Sequence, residues 1–198
     1  QAQNYDGQGL LKFGIFLQGA RSSVDVSETI STAPRTTTAN TGAIRGFGGG
    51  LSLGYDWSPS RTWLLGIEAD AAFDGAGTTI NFDDFSTQYL ATFRGRLGYY
   101  LHPDFLLYGT AGYGLLGMKY VGDNNATATR QKEFATLGGI AAGVGFEREW
   151  HHVLVFGEYL HTGFGKWDFT GANNDSYSVD VGSNVFRFGL KFKYGHDH

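Results

Sequence analysis

The side chains with the most capacity for chemistry are carboxylates and cations that recur along the chain: Lys12, Glu68, Asp70, Arg94, Arg96, Glu147, Glu158, Arg187 and Lys191. Paired carboxylates and guanidiniums can do general acid–base work, but that needs a nucleophile or a held water within reach. No nucleophile accompanies them in a recognisable spacing, so structural pairing is the expectation and no catalytic residue is assigned. His151-His152 and His196-x-His198 have spacings at which two imidazoles can bind zinc or copper. No carboxylate or fourth ligand follows at a fixed interval, so they read as a turn and a tail, with no metal site and no cofactor. Gly46-x-Gly48-Gly49-Gly50 looks like a phosphate loop but has neither the following Lys nor a helix after it. Its small residues suit close approach of a lateral protein partner or a second copy of the chain. The chain has no cysteine, which removes disulfides, zinc thiolates and thiol nucleophiles together.

Whatever holds these charges is built from unusual material. The 198 residues include 31 glycines, 16% are aromatic, and only 17% are charged. Such a chain is too aromatic to be disordered, and its apolar runs are too short for a membrane-crossing helix. A net charge of −4 offers no basic face to nucleic acid. One domain over 1–198 is expected at this length, with 1–8 as a periplasmic N-terminal segment and 195–198 as a tail. Gln1-Ala2-Gln3-Asn4 reads as a mature N-terminus left after signal-peptide removal.

The dominant signal is alternation of period two, which marks strands with unlike faces. It predicts strands over 9–20, 44–57, 62–73, 85–101, 105–118, 134–148, 152–162 and 181–194. These are longer than the five or so residues usual in globular proteins and match tilted strands that cross a bilayer. Tight connections (58–61, 102–104, 149–151) alternate with long ones (21–43, 74–84, 119–133, 163–180). The pattern predicts an all-β, eight-stranded antiparallel up-and-down transmembrane barrel, with both termini and the short turns in the periplasm and the long loops outside.

Parity decides which face meets lipid. The mid-strand apolar face carries no Asp, Glu, Lys or Arg, while the other holds Lys12, Asp56, Glu68, Asp70, Arg94, Arg96, Glu147, Glu158, Arg187 and Lys191 among glycines. Bulky residues outside and charges with glycines inside suit a narrow lumen. Tyr55, Trp57, Trp63, Tyr99, Phe105, Trp150 and Tyr194 lie at strand ends beside the short turns, where a membrane-interface girdle is expected. A desolvated ion needs a partner, so Lys12, Glu68, Asp70, Arg94, Arg96, Glu147, Glu158, Arg187 and Lys191 are expected to form a lumen network that plugs the barrel. Arg21, Arg45, Lys119, Arg130, Lys132 and Lys166 are expected near the outer rim, where they can meet lipopolysaccharide phosphates. Outer-membrane lipid and lipopolysaccharide are the expected partners.

Phe93-Arg94-Gly95-Arg96-Leu97-Gly98-Tyr99, Tyr108-Gly109-Thr110-Ala111-Gly112, Gly143-Val144-Gly145-Phe146-Glu147, Glu158-Tyr159 and the closing Phe186-Arg187-Phe188-Gly189-Leu190-Lys191-Phe192 resemble the opacity-like outer-membrane β-barrel family of alphaproteobacterial surface proteins. The resemblance spans most of the chain. It implies roles in envelope integrity, surface contact or small-solute passage, without catalysis. Such barrels usually end on an aromatic residue, whereas here Tyr194 is followed by Gly195-His196-Asp197-His198. Lipid A deacylases of the barrel class carry a His and a Ser two residues apart, whereas His161 is followed by Thr162-Gly163. Asp74, Asp83 and Asp84 have no His in their loop, unlike a barrel protease site. The reading is a structural or surface outer-membrane barrel of a Gram-negative bacterium, with a small-solute porin and a lipid A-modifying enzyme as alternatives.

Overall fold

The computed structural model describes the backbone of residues 9–29, 37–74, 77–80, 83–124, 129–151, 153–170 and 176–194, and side chains within 9–23, 45–73, 88–117, 136–151, 153–164 and 182–194. The strands are β1 (Gly9–Thr29), β2 (Thr37–Trp57), β3 (Trp63–Asp74), β4 (Gly77–Ile80), β5 (Asp83–His102), β6 (Phe105–Asn124), β7 (Thr129–Trp150), β8 (Val153–Thr170) and β9 (Ser176–Tyr194). β1 pairs antiparallel with β2, β2 with β3, and β5 through β9 each with the next, while β9 returns to β1 and β3 and β4 both pair with β5. Short β4 continues the line of β3 along β5. The wall is therefore a closed barrel eight strands around.

The ladder fixes its shape. The pairs Lys12↔Gly54, Gly54↔Glu68, Glu68↔Arg94, Arg94↔Gly112, Gly112↔Ala141, Ala141↔Thr162, Thr162↔Ser183 and Ser183↔Ser22 lead once around the barrel. The path starts at Lys12 and returns to β1 ten residues further on, at Ser22. With strand rise and spacing of about 3.3 and 4.8 Å, that stagger tilts the strands by about 40°. One face of each strand then lines a lumen just wide enough for side chains to fill.

The long connections are the main correction to the sequence reading. The alternation predicts long loops over 21–43, 119–133 and 163–180, yet β1 and β2 stay paired from Arg21↔Arg45 to Thr29↔Thr37, β6 and β7 to Asn124↔Thr129, and β8 and β9 to Thr170↔Ser176. Val24 and Val26, and Val179 and Val181, are β-branched residues that favour strand. Past the bilayer both faces meet water, so the apolar–polar contrast disappears while the pairing does not. Residues 1–8 and 195–198, including His196 and His198, lie outside the described residues, as does His152.

The turns at the other end are tight. Trp150 pairs with Val153 across a two-residue hairpin whose first residue, His151, sits in the left-handed region at φ 59°. Hairpin turns of this length need that region, which favours Gly or Asn. Replacing His151 by Gly is expected to raise stability by about 1 kcal/mol, read as a higher denaturant midpoint. At the β5–β6 turn the His102 Nδ1–H donates to the Asp104 carboxylate, which holds that carboxyl below its ordinary value of 3.8. This contribution is present above the ordinary value and is lost as pH falls through Asp104's lower folded value. An NMR titration of Asp104 is expected to give a midpoint below 3.8 that rises toward it in His102→Ala.

Candidate functional site: a charged lumen

Parity brings ten charged residues from seven strands into the barrel, each no more than 6% exposed. They are the nine expected from sequence together with Asp56. On the side of the short turns, Lys12 Nζ lies 2.6 Å from Asp56 and 2.8 Å from Glu147. Arg96 reaches Glu147 at 2.5 Å, Glu68 at 3.1 Å and Asp56 at 3.3 Å. Lys191 bridges Glu68 at 2.5 Å and Glu147 at 2.9 Å. Glu147 is thus the hub of this tier, with three cations on one carboxylate.

A second tier lies deeper along the strands. Arg94 meets Asp70 at 2.6 Å, Glu158 at 2.9 Å and Glu68 at 3.4 Å, and Arg187 meets Asp70 at 3.0 Å and Glu158 at 3.5 Å. Glu68 joins the tiers. Among the described residues the lumen carries five cations and five carboxylates, so the network is neutral as a whole. Buried ions are tolerated when geometry and hydrogen bonds replace lost water, and neutral neighbours supply those bonds. Thr92 donates to Asp70 at 2.6 Å and accepts from Arg94 Nε at 2.8 Å. Gln18 accepts from Arg187 Nε at 3.0 Å, and the Tyr108 hydroxyl donates to Glu158 at 3.1 Å. Aromatic faces take the cations from the side, with Arg96 4.1 Å above Tyr108, Lys191 4.6 Å from Phe156 and Arg187 4.8 Å from Phe16.

Apolar layers close the network at both ends. Leu64, Leu106 and Leu154 are buried on the turn side. Beyond the charges along the same strands come Ala72, Leu90, Leu160, Phe164 and Val185, also buried. The inward glycines are the space this filling requires. A Cβ at Gly145 would meet the Tyr108 ring at 2.5 Å, and one at Gly14 would approach the Lys191 stem at 3.1 Å.

Sequence reasoning placed the charges on one face but missed Tyr108, Thr92, Gln18 and Phe16 as partners. Polar or aromatic type at an inward parity was the available signal. The interface aromatics Tyr55, Trp57, Trp63, Tyr99, Trp150 and Tyr194 are exposed beside the short turns, and Phe105 is half-buried there against Phe146. Of the six rim cations, Arg21 and Arg45 are exposed on the outer face. The side chains of Lys119, Arg130, Lys132 and Lys166 lie outside the described residues. His161 hydrogen-bonds Asn184 at 2.9 Å on the outer wall, and among the described residues no hydroxyl nucleophile is hydrogen-bonded to it.

Known proteins share this architecture. The chain is 28% identical over 162 residues to the 31 kDa outer-membrane immunogenic protein of Brucella melitensis, covering 75% of this chain and 67% of that protein. It is 28% identical over 150 residues to the 22 kDa outer membrane protein of Rhizobium leguminosarum bv. viciae, with the same coverage of each. Among solved structures, the outer membrane protein OprG from Pseudomonas aeruginosa superposes with a TM-score of 0.53 at 16% identity, covering 96% of this chain and 99% of that one, a likeness of fold. The family model for the outer membrane protein beta-barrel domain matches residues 1–194. A closed eight-stranded barrel, two alphaproteobacterial relatives and a match along nearly the whole length agree: the chain is an outer-membrane protein and belongs to the outer membrane protein β-barrel domain family.

Proposed function

We propose that this protein is a structural and surface-presenting element of the outer membrane, with a lumen plugged by its own ion pairs and neither a wide pore nor an enzyme. The observation that carries this reading is the balanced, mutually paired set of ten buried charges between two apolar layers. A water-filled passage would leave some of those charges hydrated, whereas here each faces a partner of opposite sign. Planar-bilayer recording tests it: wild-type protein is expected to give no stable, large channels. Such channels from most reconstituted molecules would overturn the plug and favour a small-solute porin. An unchanged lipid A acyl pattern with and without the protein is expected as well, and a protein-dependent loss of an acyl chain would make it an enzyme.

Placement supports a lipid partner. Arg21, Arg45, Lys119, Arg130, Lys132 and Lys166 lie on the strands toward the long hairpins, where cations pair with lipopolysaccharide phosphates by charge-assisted hydrogen bonds. Replacing all six by Gln is expected to weaken lipopolysaccharide retention on purification; unchanged retention counts against this contact.

A further inference from the structure

The outer wall carries a row of polar residues where the lipid-facing surface would otherwise be apolar. The ladder pairs His161 with Asn184, Asn184 with Arg21, and Arg21 with Arg45, so four neighbouring strands present one continuous line. One outward position nearer the short turns, the same strands carry Tyr159, Phe186, Gly19 and Phe47, and the Phe47 ring lies 3.5 Å from where a Cβ on Gly19 would stand. Tyr159 and Phe186 rings are 5.0 Å apart. Aromatic side chains gather at the edge of the hydrocarbon, which puts the polar row at the outer edge of the hydrocarbon, climbing into the headgroups from His161 to Arg45 with the tilt of the strands.

Two features of the row call for an anion. Arg21 and Arg45 are directly opposite one another, an arrangement that destabilises a sheet when charges are alike. Among the described residues neither has a carboxylate within ion-pair distance. Beside them, the Tyr159 hydroxyl and the His161 Nδ1–H both donate to Asn184 Oδ1, at 2.7 and 2.9 Å, which fixes the amide with its NH2 as a remaining donor. Below the His161 end, an apolar groove of about 850 Å³ runs down the wall from Tyr159 and Ala142 past Ala111, Gly109 and Gly95 to Leu97. Ala142 is the ladder partner of His161, and a Cβ at Gly109 would meet nothing within 4 Å.

We propose that this surface is a site for one lipopolysaccharide molecule, with a lipid A phosphate between Arg21 and Arg45, the sugar along Asn184 and His161, and one acyl chain in the groove. The inference rests on the rim-contact reading above and names the site within it. Guanidinium forks suit phosphate oxygens. A row four strands wide, about 14 Å at strand spacing, exceeds a single phosphodiester headgroup and suits a phosphorylated disaccharide.

The test uses the whole chain, refolded from denaturant to remove bound lipid, with heat-modifiable gel mobility as the check of folding. Native mass spectrometry with added lipid A is expected to show one lipid per barrel, weakened at least tenfold for dephosphorylated lipid A and for R21Q/R45Q. Gly109→Leu is expected to weaken it severalfold by filling the groove. Equal binding of dephosphorylated lipid A, which needs no variant, overturns the proposal. So does equally tight binding of phosphatidylglycerol, or an unaffected R21Q/R45Q. If the six-Gln variant loses lipopolysaccharide while R21Q/R45Q keeps it, the rim reading stands and this site falls.

Discussion

Replacing Glu147 by Ala is expected to destabilise the folded barrel by about 3–5 kcal/mol, the range for stranding buried charge without its partner. One carboxylate faces Lys12, Arg96 and Lys191 within 2.9 Å. Its removal leaves five cations against four carboxylates among the described lumen residues. Lys12 keeps Asp56, and Lys191 and Arg96 keep Glu68, so the loss is one of charge balance as much as of contacts. Urea unfolding in detergent micelles, followed by tryptophan fluorescence, measures it. Adding Lys191→Met to Glu147→Ala restores neutrality, so the double variant is expected to cost less than the sum of the singles. Strict additivity, or an unmoved midpoint in Glu147→Ala, would show that the charges are solvated and the lumen is not a plug.

The second large effect concerns Gly112, opposite Arg94 in the ladder. A Cβ there would lie 2.6 Å from the Arg94 Cα and 2.9 Å from the Phe93 carbonyl carbon, both backbone atoms that cannot swing aside. Gly112→Val is therefore expected to cost at least about 1–3 kcal/mol of overpacking, or to prevent assembly, although Val is the better strand former. Gly109 on the same strand faces outward into open space, so Gly109→Val is expected to be nearly neutral. The two variants differ only in which face receives the added atoms. Heat-modifiable gel mobility reads the contrast, and equal tolerance at both positions would refute the tight interior.

The barrel and its inside-out order were legible because the bilayer imposes opposite chemistries on the two faces of a strand. Leu11, Phe13, Ile15 and Leu17 against Lys12, Gly14 and Gln18 state that contrast directly. What could not be read depends on closure. That Lys12 meets Glu147 from β7 and Lys191 meets Glu68 from β3 follows from the ten-residue stagger, which no local window contains. The facing of Arg21 and Arg45 is hidden for the same reason: each looks like an isolated rim cation until the register is known. The upper halves of β1, β2, β8 and β9 read as loops in the sequence because their period-two contrast fades beyond the lipid.

Those upper halves change what the cell exterior meets. A strand of 21 residues such as β1, tilted as here, rises about 50 Å, roughly twice the apolar band of such a barrel. The exposed part is a ribbon in fixed register, so an antibody raised against the folded protein would recognise residues from two or three strands at once. A linear peptide copied from one strand reproduces only a fraction of that footprint. Sequence drift is constrained in the same way, because a single-residue insertion in β1 shifts its alignment with both β2 and β9 and exchanges the side chains shown outward for those turned inward.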